Sequence, residues 1–193
     1  MTTNLQLVIL DDALEPNEIL EISKIYDSYT SSRNQNKQLG FSEFVYLENN
    51  SNFIFEKFLD YAKKYFLLNQ IYGFEYWFNL PESKGKPWHQ DYDVNLFKQN
   101  NVLKHPPCSI VYYLQVENCV GGVLETNTGY KIEPKTNRLV IFKGDLNHRV
   151  TPFDGTRISL VVNPWDYTVD VRSKTQIIKD TLNQYKQLIK KHD

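Results

Sequence analysis

Apolar residues recur along this chain with two periods, and the change between them falls near Ile71. Residues 5–10 form a short, mostly apolar run that predicts a strand. Glu15-Pro16-Asn17-Glu18 then resembles a helix start, followed by Ile19, Leu20, Ile22 and Ile25 at helical spacing. Residues 29–40 are rich in Ser, Asn, Gln and Lys and predict a loop. A second helix is expected over 52–68, where Phe55, Phe58, Leu59, Ala62 and Phe66 share one side and Lys63-Lys64 face solvent. Beyond Ile71 the period becomes two. Tyr72, Phe74, Tyr76, Phe78 and Leu80 alternate as in a strand, and 81–87 reads as a turn. Further strands are expected at 109–116, 123–126, 130–132 and 139–142. Asp154-Gly155 signals a hairpin between Val150 and the strand 158–162. Residues 173–191 predict a terminal helix with Ile178, Leu182, Tyr185 and Ile189 as its apolar stripe.

Helices, then many short strands, then a helix predict a mainly β chain with flanking helices (α+β), a sandwich or jelly roll with helices supporting one sheet. Without an internal repeat or linker, residues 1–193 read as a single domain with its core at about 71–170. A net charge of -1 offers no global basic field for nucleic acid. No apolar stretch approaches the roughly 20 residues that span a bilayer, and residues 1–12 lack a signal-peptide pattern. Cys108 and Cys119 are too few for a disulfide scaffold. A reducing, cytoplasmic setting is expected.

The candidate chemistry starts at His89-Gln90-Asp91 and continues at His148. Residues two apart on a strand share a face, with Cα atoms about 6.6 Å apart. His89 and Asp91 can therefore converge on one ion if the fold brings His148 alongside. Two imidazoles and one carboxylate form a facial triad for iron(II) with open positions, although the same set also suits zinc. His-x-Asp alone is a weak signal, and a lone His148 is more often structural. His105, ahead of Pro106-Pro107, and His192, in the tail, are poor ligand candidates.

Arg157 and Ser159 share a strand face, and the hairpin is expected to set them beside the His148 strand. A guanidinium facing an interior is costly unless it meets an anion, and its planar fork suits a carboxylate. Tyr113 and Ser109, on one face of another strand, are the hydroxyls expected to complete that site. Trp88, Tyr92, Asn163 and Trp165 are candidate pocket-lining residues, while Lys84, Lys86 and residues 93–104 are expected to flank the entrance.

From Trp88 to Trp165 the chain resembles the 2-oxoglutarate- and iron(II)-dependent dioxygenases, most closely the prolyl 4-hydroxylase-like group. The resemblance rests on His89-Gln90-Asp91, Ile110-Val111-Tyr112-Tyr113-Leu114, Gly121-Gly122-Val123-Leu124, Ile132-Glu133-Pro134-Lys135, Arg138-Leu139-Val140-Ile141-Phe142, His148 and Gly155-Thr156-Arg157-Ile158-Ser159-Leu160. It implies a double-stranded β-helix, with iron(II) held by His89, Asp91 and His148 as catalytic ligands. In that pattern Arg157 and Tyr113 take the distal carboxylate of 2-oxoglutarate, the cosubstrate. Oxygen is consumed, succinate and carbon dioxide are released, and ascorbate serves as reductant. Val161 stands where some relatives carry Thr, and the retained Asp91 argues against a halogenase.

The favoured substrate is a prolyl residue of a protein or peptide. A free amino acid or other small metabolite is the alternative. A non-catalytic jelly-roll module and a nucleic-acid dealkylase are disfavoured, the first by the intact triad and Arg157, the second by the charge.

Overall fold

The structure, a computed structural model, describes residues 5–36, 42–47, 52–68 and 70–169. Its elements run β1 (Leu7–Leu10), α1 (Pro16–Asn36), β2 (Glu43–Tyr46), α2 (Phe53–Lys63), β3 (Gly73–Asn79) and β4 (Lys86–His89). They continue with α3 (Val94–Asn100), β5 (Cys108–Gly121), β6 (Leu124–Thr126), β7 (Lys131–Ile132), β8 (Leu139–Lys143), β9 (His148–Val150) and β10 (Phe153–Trp165). Six strands form one antiparallel sheet in the order β1-β8-β5-β10-β3-β2, and four form a second in the order β4-β9-β6-β7.

The larger sheet is covered on both faces, and the alternation of its strands decides which residue looks where. Phe74, Tyr76, Phe78, Ile110, Tyr112, Ile158, Leu160 and Val162 point toward the helices, where they pack with Ile22, Tyr29, Phe55 and Phe58. The intervening positions Val111, Tyr113, Val140, Phe142 and Val161 meet Leu124 and Ile132 of the smaller sheet. The space between the two sheets is where the predicted site residues gather.

Helix α1 begins as its sequence dictates. Pro16 occupies the first turn, where its missing N–H costs nothing, and the Glu18 carboxylate accepts from the Glu15 N–H at 2.8 Å. The helix runs on through residues 29–36, where a loop was expected. Tyr29 explains the difference: it is 3 % exposed and packs on Tyr76 and Phe78, so tertiary burial overrides the weak local propensity of the Ser/Asn-rich stretch. Asn52 caps α2, its side chain accepting from the Ile54 N–H at 2.9 Å. That helix ends at Lys63, short of the expected residue 68.

A second correction concerns Asp154-Gly155, which lies inside β10 and is no hairpin. Strands β9 and β10 belong to different sheets, so the chain crosses the sandwich between Val150 and Phe153. Gly155, at φ +87°, is a bulge where β10 shifts register against β5 between Asp154 and Thr156. A Cβ there would sit 2.1 Å from the Asn118 carbonyl oxygen. Strand β2 and helix α3 were not anticipated, because each is short and its apolar pattern is too brief to register. The expected helix at 173–191 lies outside the described residues. No described helix is long and apolar enough to cross a membrane.

Candidate active site

His89 is the last residue of β4, and His148 the first of β9. The two are direct partners across the ladder, with ring centroids 4.2 Å apart. Asp91 lies just beyond the end of β4 and not on the strand with His89 as expected. Its carboxylate nevertheless approaches the pair, Oδ1 lying 3.9 Å from His89 Nε2. One ligand atom from each of His89, Asp91 and His148 falls within 4.8 Å of the others. Asp91 and His148 are buried and His89 is partly exposed, so the triad sits at the inner end of an opening.

Each histidine is oriented by a carbonyl two residues earlier. His89 Nδ1 donates to the Pro87 oxygen at 2.8 Å, and His148 Nδ1 to the Leu146 oxygen at 2.9 Å. A carbonyl accepts, so Nδ1 carries the proton and Nε2 is left with its lone pair toward the shared centre. Burial, with Lys86 and His148 close by, pushes His89 down to about 4, leaving the imidazole neutral and able to ligate at neutral pH. The chain fixes Asp91 from two sides. The Ser109 hydroxyl donates to Oδ2 at 2.9 Å, and His105 Nδ1 lies 2.7 Å from the Asp91 carbonyl oxygen. Burial works against its charge, but His148, Lys86, His89 and the Ser109 hydrogen bond hold the carboxyl below its ordinary value. Such outer hydrogen bonds set ligand direction and basicity. Two imidazoles, one ionised carboxylate and an open side are a donor set that fits iron(II).

Ser109 thus differs from its expected role, because its hydroxyl is committed to Asp91 and not to the Arg157 site. The reason is register: β5 enters the sheet at Cys108, which sets Ser109 at the metal end and Tyr113 four residues deeper. His105 was discounted as a ligand, and it reaches the site through the Asp91 backbone.

Arg157 lies on β10, 3 % exposed, two residues after the Gly155 bulge. Its Nη1 donates to the Ser159 hydroxyl at 3.3 Å, and the Ser159 oxygen also accepts from Asn79 Nδ2 at 3.2 Å. The guanidinium carbon stands 4.9 Å from the centre of the Tyr113 ring. Arg157 Nε and the Tyr113 hydroxyl are both buried without a hydrogen-bond partner. Among the described residues no carboxylate pairs with this arginine. A buried cation and a buried phenol, both unsatisfied and side by side, form a receptor for an anion with carboxylate shape. Arg157 and Tyr113 would thus suit the distal carboxylate of a cosubstrate such as 2-oxoglutarate.

Asn79 escaped the sequence reading for a physical reason. On a sheet with one wet face, Glu75, Trp77 and Asn79 would be the solvent positions of β3. Here the second sheet stands over that face, and those three residues line an interior cavity of about 610 Å³ with His89, Asp91 and Asn163. Tyr92 also lines the cavity, while Trp165 is fully buried and donates from Nε1 to Glu75. Trp88 does not line it: the ring is 44 % exposed and packs under Arg149 at 5.0 Å. Lys86 is on the cavity wall, and α3, which contributes no buried residue, occupies 94–100 beside it.

Comparison with known proteins follows the same lines. Residues 76–165 match the 2OG-Fe(II) oxygenase superfamily. No curated protein matches the chain. Among solved structures, it is similar to a viral collagen prolyl hydroxylase from Paramecium bursaria Chlorella virus-1 bound to 2OG, at 15% identity and TM-score 0.56, covering 83% of this chain and 96% of that one. A Trichoplax adhaerens prolyl hydroxylase in complex with a hypoxia inducible factor peptide fragment aligns at 14% identity and TM-score 0.56, covering 84% of each chain. A Pseudomonas putida prolyl-4-hydroxylase aligns at 17% identity and TM-score 0.57, covering 86% of this chain and 90% of that one. The two-sheet sandwich is accordingly the double-stranded β-helix of these enzymes. The segment matched by that family runs from within β3 to the end of β10 and contains the triad together with Arg157.

Proposed function

We propose that this protein hydroxylates a C–H bond in a prolyl residue of a protein or peptide, consuming 2-oxoglutarate and oxygen and releasing succinate and carbon dioxide. The observation that carries the reading is the pairing of two unfinished sites in one interior. The His89–Asp91–His148 cluster has its ligand atoms turned to a common centre, and the buried Arg157–Tyr113 pair lacks an anion. Iron(II) bound to the triad supplies the oxygen chemistry, with ascorbate keeping it reduced.

The chain's own residues do the positioning. His89 and His148 are locked by the carbonyls of Pro87 and Leu146, and Asp91 by Ser109. Arg157, with Ser159 and Asn79 bracing it, holds the distal carboxylate of the cosubstrate. Val111, Tyr113, Val161 and Phe142 wall the interior and keep water from the reacting centre. The cavity lined by Trp77, Asn79 and Asn163 receives the substrate. A prolyl target is supported by the three similar structures, all of them prolyl hydroxylases and one in complex with a peptide fragment.

The test is mass spectrometry of a host lysate incubated with the full chain, iron(II), ascorbate and 2-oxoglutarate. An added oxygen on prolyl residues of specific proteins is expected. Labelling confined to free amino acids or other metabolites overturns the prolyl assignment and favours a small-molecule hydroxylase.

A further inference from the structure

The cavity beside the triad holds acceptors that neither the metal nor Arg157 uses. Glu75 on β3 and Asn163 on β10 are direct cross-strand partners, and both line the cavity. Glu75 Oε1 accepts from the Ser42 hydroxyl at 2.7 Å, and Oε2 from Trp165 Nε1 at 3.3 Å. A carboxylate oxygen accepts two hydrogen bonds, so each retains a free lone pair. Among the described residues no cation pairs with Glu75. Asn163 is 1 % exposed, and its side-chain oxygen has no hydrogen-bond partner. Leaving such an oxygen buried and unmet costs about 1–3 kcal/mol, a debt that a ligand bearing N–H groups removes.

The local field has the same sign as these acceptors. Burial pushes the Glu75 carboxyl up, and the negative charges of Asp91 and Asp93 add to the effect. The cation on the cavity wall, Lys86, sits with Nζ 5.5 Å from the Trp77 ring and makes no ion pair with Glu75. Two carboxylate oxygens and one amide oxygen, held on adjacent strands by Ser42 and Trp165, leave room for a donor-rich group and disfavour an acceptor.

We propose that Glu75 and Asn163 form a recognition end of the substrate cavity for a positively charged nitrogen, an ammonium or guanidinium, carried by the substrate near the C–H bond that is oxidised. The inference rests on the oxygenase reading above and adds the chemistry of what the cavity accepts. The charged group belongs to a basic side chain flanking the target in a peptide or to a free amino acid, and the test separates the two.

The full chain, loaded with iron(II) and 2-oxoglutarate without oxygen, is titrated by tryptophan fluorescence with acetyl-Pro-Lys-amide, acetyl-Lys-Pro-amide and free lysine. Each probe is repeated with its Nε-acetylated form, which keeps the length and removes the charge. The expected result is about tenfold tighter binding of at least one charged probe over its acetylated form. Glu75→Gln should bring that ratio close to one, and Asn163→Asp should raise it. Because the readout is a ratio within one variant, a general loss of stability does not imitate it. Preference among the peptides locates the charge on a peptide substrate, and preference for free lysine alone places it on a metabolite. Equal binding of charged and acetylated probes, no binding of any, or a ratio indifferent to Glu75→Gln overturns the proposal. Substrate-free succinate formation by the same wild-type preparation is read in parallel. If it occurs, this inference alone has failed; if it does not, the oxygenase reading has failed.

Discussion

Replacing Arg157 with methionine separates a cosubstrate clamp from a structural arginine. The guanidinium is 3 % exposed, bonds one hydroxyl at 3.3 Å and leaves Nε unpaired. A buried charge in that condition destabilises the empty fold, so methionine of similar length is expected to leave the melting temperature unchanged or raise it. Binding moves the other way. Each charge-assisted bond from guanidinium to carboxylate is worth about 1.5–3 kcal/mol. Losing a two-bonded fork should therefore weaken 2-oxoglutarate by at least about 3 kcal/mol, on the order of 150-fold. Calorimetric titration of the manganese-loaded protein with 2-oxoglutarate measures the second effect, and a thermal melt of the metal-free protein the first. A variant with a lowered melting temperature and unchanged 2-oxoglutarate affinity would refute the argument, since that is how an arginine that merely braces β10 behaves.

Other expectations follow from single contacts. Ser109→Ala removes the donor on Asp91 Oδ2 and should weaken metal binding by about 10- to 100-fold, read by competition with a chromogenic chelator. Gly155→Ala forces a Cβ to 2.1 Å from the Asn118 carbonyl in a positive-φ bulge and should lower the melting temperature and the 2-oxoglutarate affinity together, because the bulge aims Arg157. Hydrogen bonding and charge from Arg138, with Lys135 assisting, hold the Asp11 carboxyl well below the usual carboxylate range. A depressed folded-state value stabilises above the unfolded value near about 3.9 and loses that contribution as pH falls below it. Asp11→Asn should thus lower the melting temperature at neutral pH and flatten its decline on the acid side, measured by melts from about pH 6 to about pH 3.

The sequence spoke most clearly where local pattern and final environment agree. The alternation in 72–80 and 109–116 marks two central strands because a strand facing helices must present an apolar residue at every second position. The convergence of His89, Asp91 and His148 and the burial of Arg157 were legible because few side chains suit such positions and their order along the chain is informative. What the pattern hid depends on tertiary cover. The intervening positions of β3, Glu75, Trp77 and Asn79, carry no apolar alternation to mark them, yet they form cavity wall beside His89 and Asp91. Tyr29 sits in a stretch with loop-like composition, and its burial against Tyr76 and Phe78 extends α1. Asp154-Gly155 carries the residues of a tight hairpin, but such a pair also serves a bulge. The choice is made by β9 and β10 lying in different sheets. Ser109 was placed on the correct strand and face but with the wrong partner, because nothing local reveals how deep along β5 each ligand lies.

The proposed function requires that His89, Asp91 and His148 hold an iron(II) ion that works with an anion seated at Arg157. The most direct measurement is succinate formed from 2-oxoglutarate by purified protein under oxygen, with and without iron(II), in wild type and in His148→Ala. Slow succinate release that requires iron(II) is expected in wild type and is expected to be absent in the variant. Metal-loaded wild type that neither binds nor turns over 2-oxoglutarate, or a His148→Ala variant with an undiminished rate, contradicts it.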